Sequence, residues 1–181
     1  MAEERWPEPW FRVLWAPWRM AYIREAVKAP SRGGCVFCEA PRMGDEESLI
    51  VYRGRRAYII MNKYPYNTGH VMVVPYRHVA SIEDLTAEEL AEMGLLVKAS
   101  MAGLRKALKP HGFNVGVNIG RTAGAGIDAH VHIHVVPRWD GDTNFMLVTG
   151  ATKVIPQDLR ETYREIRPYI EGEAEKLLAQ Q

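Results

Sequence analysis

At 181 residues, 47% hydrophobic and 25% charged, the chain is ordinary globular material, long enough for one core and short for two. A net charge of +1 removes the broad electrostatic case for duplex nucleic acid, which needs a clustered basic face. No apolar run approaches the roughly 18 residues of a membrane span, and the acidic, Trp-rich start lacks the basic and apolar regions of a signal peptide, which points to the cytoplasm.

Residues 1–34 hold four of the five tryptophans and are cut by Pro7, Pro9, Pro17 and Pro30. They predict an irregular arm with one helical piece at 16–26, of the kind that wraps a core or a partner subunit. Cys35 and Cys38 follow, too few for a secreted disulfide scaffold and better suited to a metal or redox role in a reducing compartment. Runs at 49–52, 57–61 and 70–75 read as strands, the last two joined by the turn-rich segment 63–69. Thr86 has the position of an N-cap with Glu89 three places on, opening an amphipathic helix that runs to about Leu108 and stops at Pro110 and Gly112. Its Leu90, Met93, Leu96, Val97, Met101 and Leu104 are expected in the core. Strands are predicted at 113–119 and 130–136, a short last strand at 145–148, and a C-terminal helix from Gln157 kinked at Pro168.

His130, His132 and His134 alternate with Val131, Ile133 and Val135. The period of two in a strand sends the three imidazoles to one face and the β-branched residues to the core. Crowded imidazoles repel once protonated, so at neutral pH at least one stays neutral and nucleophilic, and the middle one is flanked on both sides. The ten residues before this strand include Gly120, Gly124 and Gly126, a composition that lets backbone amides turn toward an anion, with Arg121 and Thr122 as further donors. Taken alone, the pattern equally fits a three-histidine metal site or solvent-facing histidines on an edge strand.

The run His130 to Val136, followed by Pro137-Arg138-Trp139, resembles the signature of the histidine triad family. A second block agrees: Asn62, Pro65, Gly69-His70 and Pro75 are similar to the family's pattern on the preceding hairpin. The resemblance spans about 35–145 and implies an α+β fold, a five-stranded and mostly antiparallel sheet with the long helix packed on it. The domain boundaries that follow are an N-terminal arm at 1–34, the histidine triad domain at 35–150 and a C-terminal helical extension at 151–181.

The resemblance implies that His132 attacks the α-phosphorus of a nucleotide to give a nucleotidyl-histidine intermediate, splitting one hard displacement into two easier ones. The other nitrogen of His132 should donate to a backbone carbonyl and so fix the tautomer. It further implies that His134 and His130 contact phosphate oxygens or the leaving group, with His70 supporting the triad from the neighbouring strand, directly or through a second layer. Asn62 would bind the ribose hydroxyls, its alternative being a turn-capping amide. Asn118, Ala125 and Gly126 would lie against the phosphates, where many relatives carry Gln or Ser; without a hydroxyl at Gly126, backbone amides must guide the leaving group. Trp139 either stacks on an adenine, in this subunit or its partner, or is a plain core or interface residue.

Cys35 and Cys38 have zinc-knuckle spacing, and the resemblance implies that His78 and His130 complete a closed, structural zinc site, which would withdraw His130 from phosphate. The alternative is two reduced core cysteines. No organic cofactor is expected. The Gly120 to Gly126 loop, the Trp139 continuation and the arm at 14–19 look most like enzymes that cleave dinucleoside polyphosphates by phosphorolysis or hydrolysis. A nucleoside phosphoramidate hydrolase is the enzymatic alternative, and a nucleotide-binding or sensing protein with incidental turnover is the alternative of another class. The family also implies a homodimer, formed through the long helix and the strand before the triad.

Overall fold

The computed structural model describes residues 34–146 and 154–180. Two short helical turns, α1 (Val36–Glu39) and α2 (Asp45–Ser48), lead into β1 (Ile50–Arg53), β2 (Ala57–Met61) and β3 (Val71–Pro75). The long helix α3 (Ala87–Leu108) separates this meander from β4 (Gly112–Val117) and β5 (Ile133–Arg138), and α4 (Leu159–Leu178) closes the chain. The five strands form one sheet in the order β1-β2-β3-β5-β4, every neighbouring pair antiparallel.

Both faces of the central strands are covered, which is why β2 and β3 read as unbroken apolar runs rather than alternations. Ala57, Ile59, Met61, Val71, Val73 and Val135 face α3 and α4, packing on Met93, Leu96, Leu104, Tyr163, Ile166 and Ile170. Tyr58, Ile60, Met72 and Val74 face the other way, onto Phe37 and Ala40. Met72 pairs with His134 across β3 and β5, so the imidazoles lie on this second face, away from the helices.

The start of α3 is set by a capping box: Thr86 Oγ1 accepts the Glu89 amide at 3.2 Å while Glu89 Oε2 accepts the Thr86 amide at 2.8 Å. Lys109 ends the helix in the left-handed region at φ 48°, immediately before Pro110. The buried stripe of α3 runs through Glu92, Met93, Leu96, Ala99, Ser100, Gly103 and Leu104, on the side where α4 lies. Leu90, expected in the core, is instead 45% exposed. At 100° per residue it falls on the shoulder of that stripe beside Val97 and Met101, which are half-buried.

Several boundaries differ from expectation. The ladder of β5 begins at Ile133 and continues to Arg138, because His130 and His132 precede it and Val131 bonds instead to the Val79 carbonyl at 2.7 Å. Strand β4 starts at Gly112 and stops at Val117, whose partner Ile133 is the first residue of β5. Phe145 and Met146 are helical rather than extended, Asn144 Oδ1 accepting the Met146 amide at 3.0 Å in the manner of an N-cap. Residues 147 and 148 lie outside the described residues, as do 1–33 with the helical piece expected at 16–26. Helix α4 continues through Pro168 and contributes Tyr163, Ile166, Ile170 and Ala174 to the core.

The contact between α3 and α4 rests on Gly103, where an added Cβ would meet the Ile170 backbone at 2.6 Å. Gly103→Ala should therefore lose on the order of 1–3 kcal/mol in a denaturant titration. Gly172→Ala, on the open side of α4, should gain about 0.5–1 kcal/mol from helix propensity. Equal effects of the two substitutions would contradict this packing.

Candidate active site and metal cluster

The site is assembled on the face opposite the helices by β3, β5, the 62–70 hairpin loop and the α1 turn. His132 is 5% exposed, and its Nδ1 donates to the His130 carbonyl at 2.9 Å. That bond places the proton on Nδ1 and leaves the Nε2 lone pair available, the arrangement that the family resemblance implies. Burial lowers the His132 pKa against the opposing pull of the same carbonyl, so the ring is neutral at pH 7. Phe37 packs on it with ring centres 4.9 Å apart, and His134 meets it edge-on at 4.7 Å.

A second chain of bonds fixes His134. The Tyr66 backbone amide donates to His70 Nδ1 at 3.1 Å, which forces the His70 proton onto Nε2. His70 Nε2 then donates to His134 Nδ1 at 3.0 Å, so a neutral His134 carries its proton on Nε2. His70 is fully buried, stacks on Tyr66 at 4.8 Å, and is pushed down to about 3 by burial and by the neighbouring His134 and His132. The two rings beside the reactive face thus differ in kind: His132 offers a lone pair and His134 a donor.

His130 is turned to a different task. It is fully buried, its Nε2 donates to the Pro75 carbonyl at 2.9 Å, and its Nδ1 points into a cluster with Cys35, Cys38 and His78. Cys35 Sγ lies 3.3 Å and Cys38 Sγ 3.6 Å from His130 Nδ1, Cys38 Sγ lies 3.4 Å from His78 Nδ1, and the two imidazole Nδ1 atoms are 3.2 Å apart. A tetrahedral ion with metal–sulfur bonds of about 2.3 Å and metal–nitrogen bonds of about 2.05 Å requires edges of roughly 3.3–3.8 Å. These four of the six donor–donor distances lie close to such edges, all four donor atoms lie within 4.8 Å of one another, and the cluster can hold a metal. Burial and the adjacent Cys35 raise the Cys38 thiol pKa, a cost that a bound cation reverses.

The remaining expected residues are less tightly drawn together. Asn62 is half-buried: its Oδ1 accepts the Tyr64 amide at 2.9 Å in an Asx turn, and its Nδ2 lies 3.4 Å from His70 Nδ1. Asn118 follows the end of β4, half-buried, one residue beyond the Val117–Ile133 pair. The 120–126 loop turns at Gly120 and Gly124, whose φ values of 77° and 89° favour glycine, and Arg121 closes it on Asp128 at 2.7 Å. Within it Ala125 donates to the Gly120 carbonyl at 3.3 Å, and Gly126 is exposed. Trp139 sits at the far end of β5, about 16 Å of extended chain from His134. Its indole donates to the Leu108 carbonyl at 3.3 Å.

Phe37, Tyr66, Asn67 and Asp142 were not anticipated. Phe37 had a signal, since it lies between two spaced cysteines; the other three contact the site through folding that no local pattern announces.

A family model described as "HIT domain" matches residues 44–141. The chain is 48% identical over 156 residues to an AP-4-A phosphorylase of Mycobacterium tuberculosis, covering 83% of this chain and 80% of that protein. Among solved structures, a hypothetical histidine triad nucleotide-binding protein from Sulfolobus tokodaii matches with a TM-score of 0.61 at 29% identity, covering 79% of this chain and 93% of the other. A Zn-bound histidine triad family protein from Mycobacterium smegmatis matches with a TM-score of 0.63 at 25% identity, covering 82% and 98%.

Because His70 is harder to protonate when folded, the unfolded chain takes up a proton first. Its contribution to stability is complete above about pH 6.5 and is lost as the pH falls toward the folded value. His70→Asn should therefore show a shallower decline in melting temperature than the parent between about pH 7 and pH 5. Parallel declines would show that His70 is not held neutral.

Proposed function

The chain belongs to the histidine triad family, and from that membership and the site geometry we infer that it is an enzyme cleaving dinucleoside polyphosphates at an α-phosphate. The observation that carries this reading is the bond from His132 Nδ1 to the His130 carbonyl, which leaves the Nε2 lone pair of a buried, neutral imidazole free to attack. His132 Nε2 forms a bond to the α-phosphorus as the bond to the bridging oxygen breaks, and a nucleoside polyphosphate leaves as an anion. His134 donates its Nε2 proton as a hydrogen bond to phosphate oxygen, compensating charge that builds in the transition state. The backbone amide of Gly126, beside Ala125 at the loop end, serves the same oxygens, Asn118 holds the α-phosphate, Asn62 reaches the ribose with its Nδ2, and His70 fixes His134.

Phosphorolysis is the favoured second step, in keeping with the 48% identity to an AP-4-A phosphorylase. Orthophosphate attacks the nucleotidyl group, the P–N bond to His132 breaks, and a nucleoside diphosphate leaves. Trp139 is proposed to face a nucleobase of the partner subunit, since within its own chain it is tied to the end of α3.

Zinc is the ion proposed for Cys35, Cys38, His78 and His130, a closed set of two thiolates and two imidazoles. When bound it supplies a structural cross-link, leaving His130 to hold its carbonyl toward His132 rather than to touch phosphate. A homodimer is proposed through α3 and the edge strand β4, where Leu90 on α3, Val115 on β4 and Ile119 just beyond β4 are each more than 40% exposed. We place the protein in the cytoplasm.

Incubation with diadenosine tetraphosphate, followed by chromatography, should give ADP plus ATP only when orthophosphate is supplied. AMP plus ATP without phosphate would replace phosphorolysis by hydrolysis, and no cleavage under either condition would contradict the substrate class. Native mass spectrometry should give twice the 20.5 kDa chain mass plus one zinc per chain. A metal-free ion would remove the zinc, and a single-chain ion would remove the dimer.

A further inference from the structure

Asn67 is 4% exposed in the middle of the turn-rich hairpin loop, a place where asparagines ordinarily face solvent. Its side chain reaches across to the β5 end of the sheet, Nδ2 donating to the Pro137 carbonyl at 3.0 Å and to Asp142 Oδ2 at 2.8 Å. Val71 faces Val135 in the ladder, so two residues earlier Gly69 lies beside Pro137, and an added Cβ there would meet Pro137 at 3.4 Å. The backbone ladder ends at Val71, and the Asn67 amide carries the pairing beyond it.

Asp142 is built to receive that amide. Its side chain is 7% exposed and collects five donors: Asn67 Nδ2, Arg138 Nε at 2.6 Å and a second guanidinium nitrogen at 2.8 Å, the Trp139 amide at 3.2 Å and Thr143 Oγ1 at 3.1 Å. Arg138 beside it holds the carboxyl well below the usual range, so it is charged throughout. Arg138 also donates to Asn114 on β4 at 2.7 Å, which anchors the knot to a second strand.

On its other side Asn67 adjoins the relay. Its carbonyl accepts the His70 amide at 3.1 Å, and the residue before it supplies the Tyr66 amide that meets His70 Nδ1. Resting on the cleavage chemistry proposed above, we propose that Asn67, clamped by Asp142 and the Pro137 carbonyl, is a positioning residue that fixes the His70 tautomer and through it the donor that His134 presents. The clamp touches no substrate. It holds the 62–70 loop at the one height where Tyr66 N–H can enforce Nδ1 of His70 as an acceptor.

Asn67→Ala should lower kcat on the order of tenfold to a hundredfold while leaving KM within about threefold, because donor alignment matters in the transition state. Nitrogen-15 imidazole spectra of the substrate-free protein should change from protonated Nε2 on both His70 and His134 to averaged tautomers on both. In a His70→Ala background the same substitution should add nothing further, the pattern of two residues acting through one path. If N67A does not fold, D142N carries the same readings and the same expectations. Unchanged His70 and His134 tautomers, or an N67A effect that multiplies fully onto that of H70A, would overturn the proposal. Since the spectra need no substrate, they test the clamp even if diadenosine tetraphosphate is not cleaved.

Discussion

The hydrogen bond from His132 Nδ1 to the carbonyl of His130 is the constraint on which the rest of the site depends. It settles which nitrogen carries the proton, and an imidazole protonated at the wrong nitrogen presents a donor where phosphorus chemistry needs an electron pair. A carbonyl can do this only if its own residue is immobile. His130 is held by its Nε2 bond to Pro75 and by its place among Cys35, Cys38 and His78, while Phe37 braces both rings from the α1 turn. Tyr58 in turn donates to the Phe37 carbonyl at 2.6 Å, tying that turn to the middle of the sheet. The Cys35, Cys38, His78 and His130 cluster and the strand that carries His132 and His134 are therefore parts of one arrangement, linked through a single peptide group.

The sheet divides labour between its faces. The helical face carries most of the aliphatic bulk and makes β5 rigid from behind, with Val135 fully buried against α3 and α4. The opposite face is where polar groups are brought together, and there each buried imidazole has its partners accounted for: His70 with Tyr66 and His134, His130 with Pro75 and the thiols, His132 with a carbonyl. Burial without partners would be costly; burial with directed partners fixes tautomers and keeps the rings neutral. Two imidazoles side by side, one a lone pair and one a donor, follow from that partner pattern rather than from any property of histidine alone.

Much of this was legible in the sequence because short-range rules govern it. The Thr86 and Glu89 capping box, the stop at Pro110, the apolar runs of β2 and β3 and the alternation of His132 and His134 are local signals, and the structure follows them. The grouping of Cys35 and Cys38 with His78 and His130 came from likeness to a family, since two thiols at one end of the chain do not name ligands 40 and 95 residues away. What stayed hidden depends on contacts made only after folding. Leu90 sits on an apolar stripe whose centre is decided by where α4 docks, and Asn67 looks like any turn asparagine until Asp142 arrives from 75 residues later. Strand β5 starts late for the same reason, because His130 is recruited by a cluster that lies outside the ladder.

The central claim is that the Nε2 lone pair of His132 is the nucleophile. Mixing the enzyme with diadenosine tetraphosphate in the absence of orthophosphate, quenching within milliseconds under alkaline conditions and mapping the nucleotidylated peptide tests it most directly. The account predicts one adenylyl group on His132, attached through Nε2 and discharged when phosphate is added before the quench. An adduct on His134, His70 or a cysteine, or cleavage with no adduct at any quench time, would contradict it.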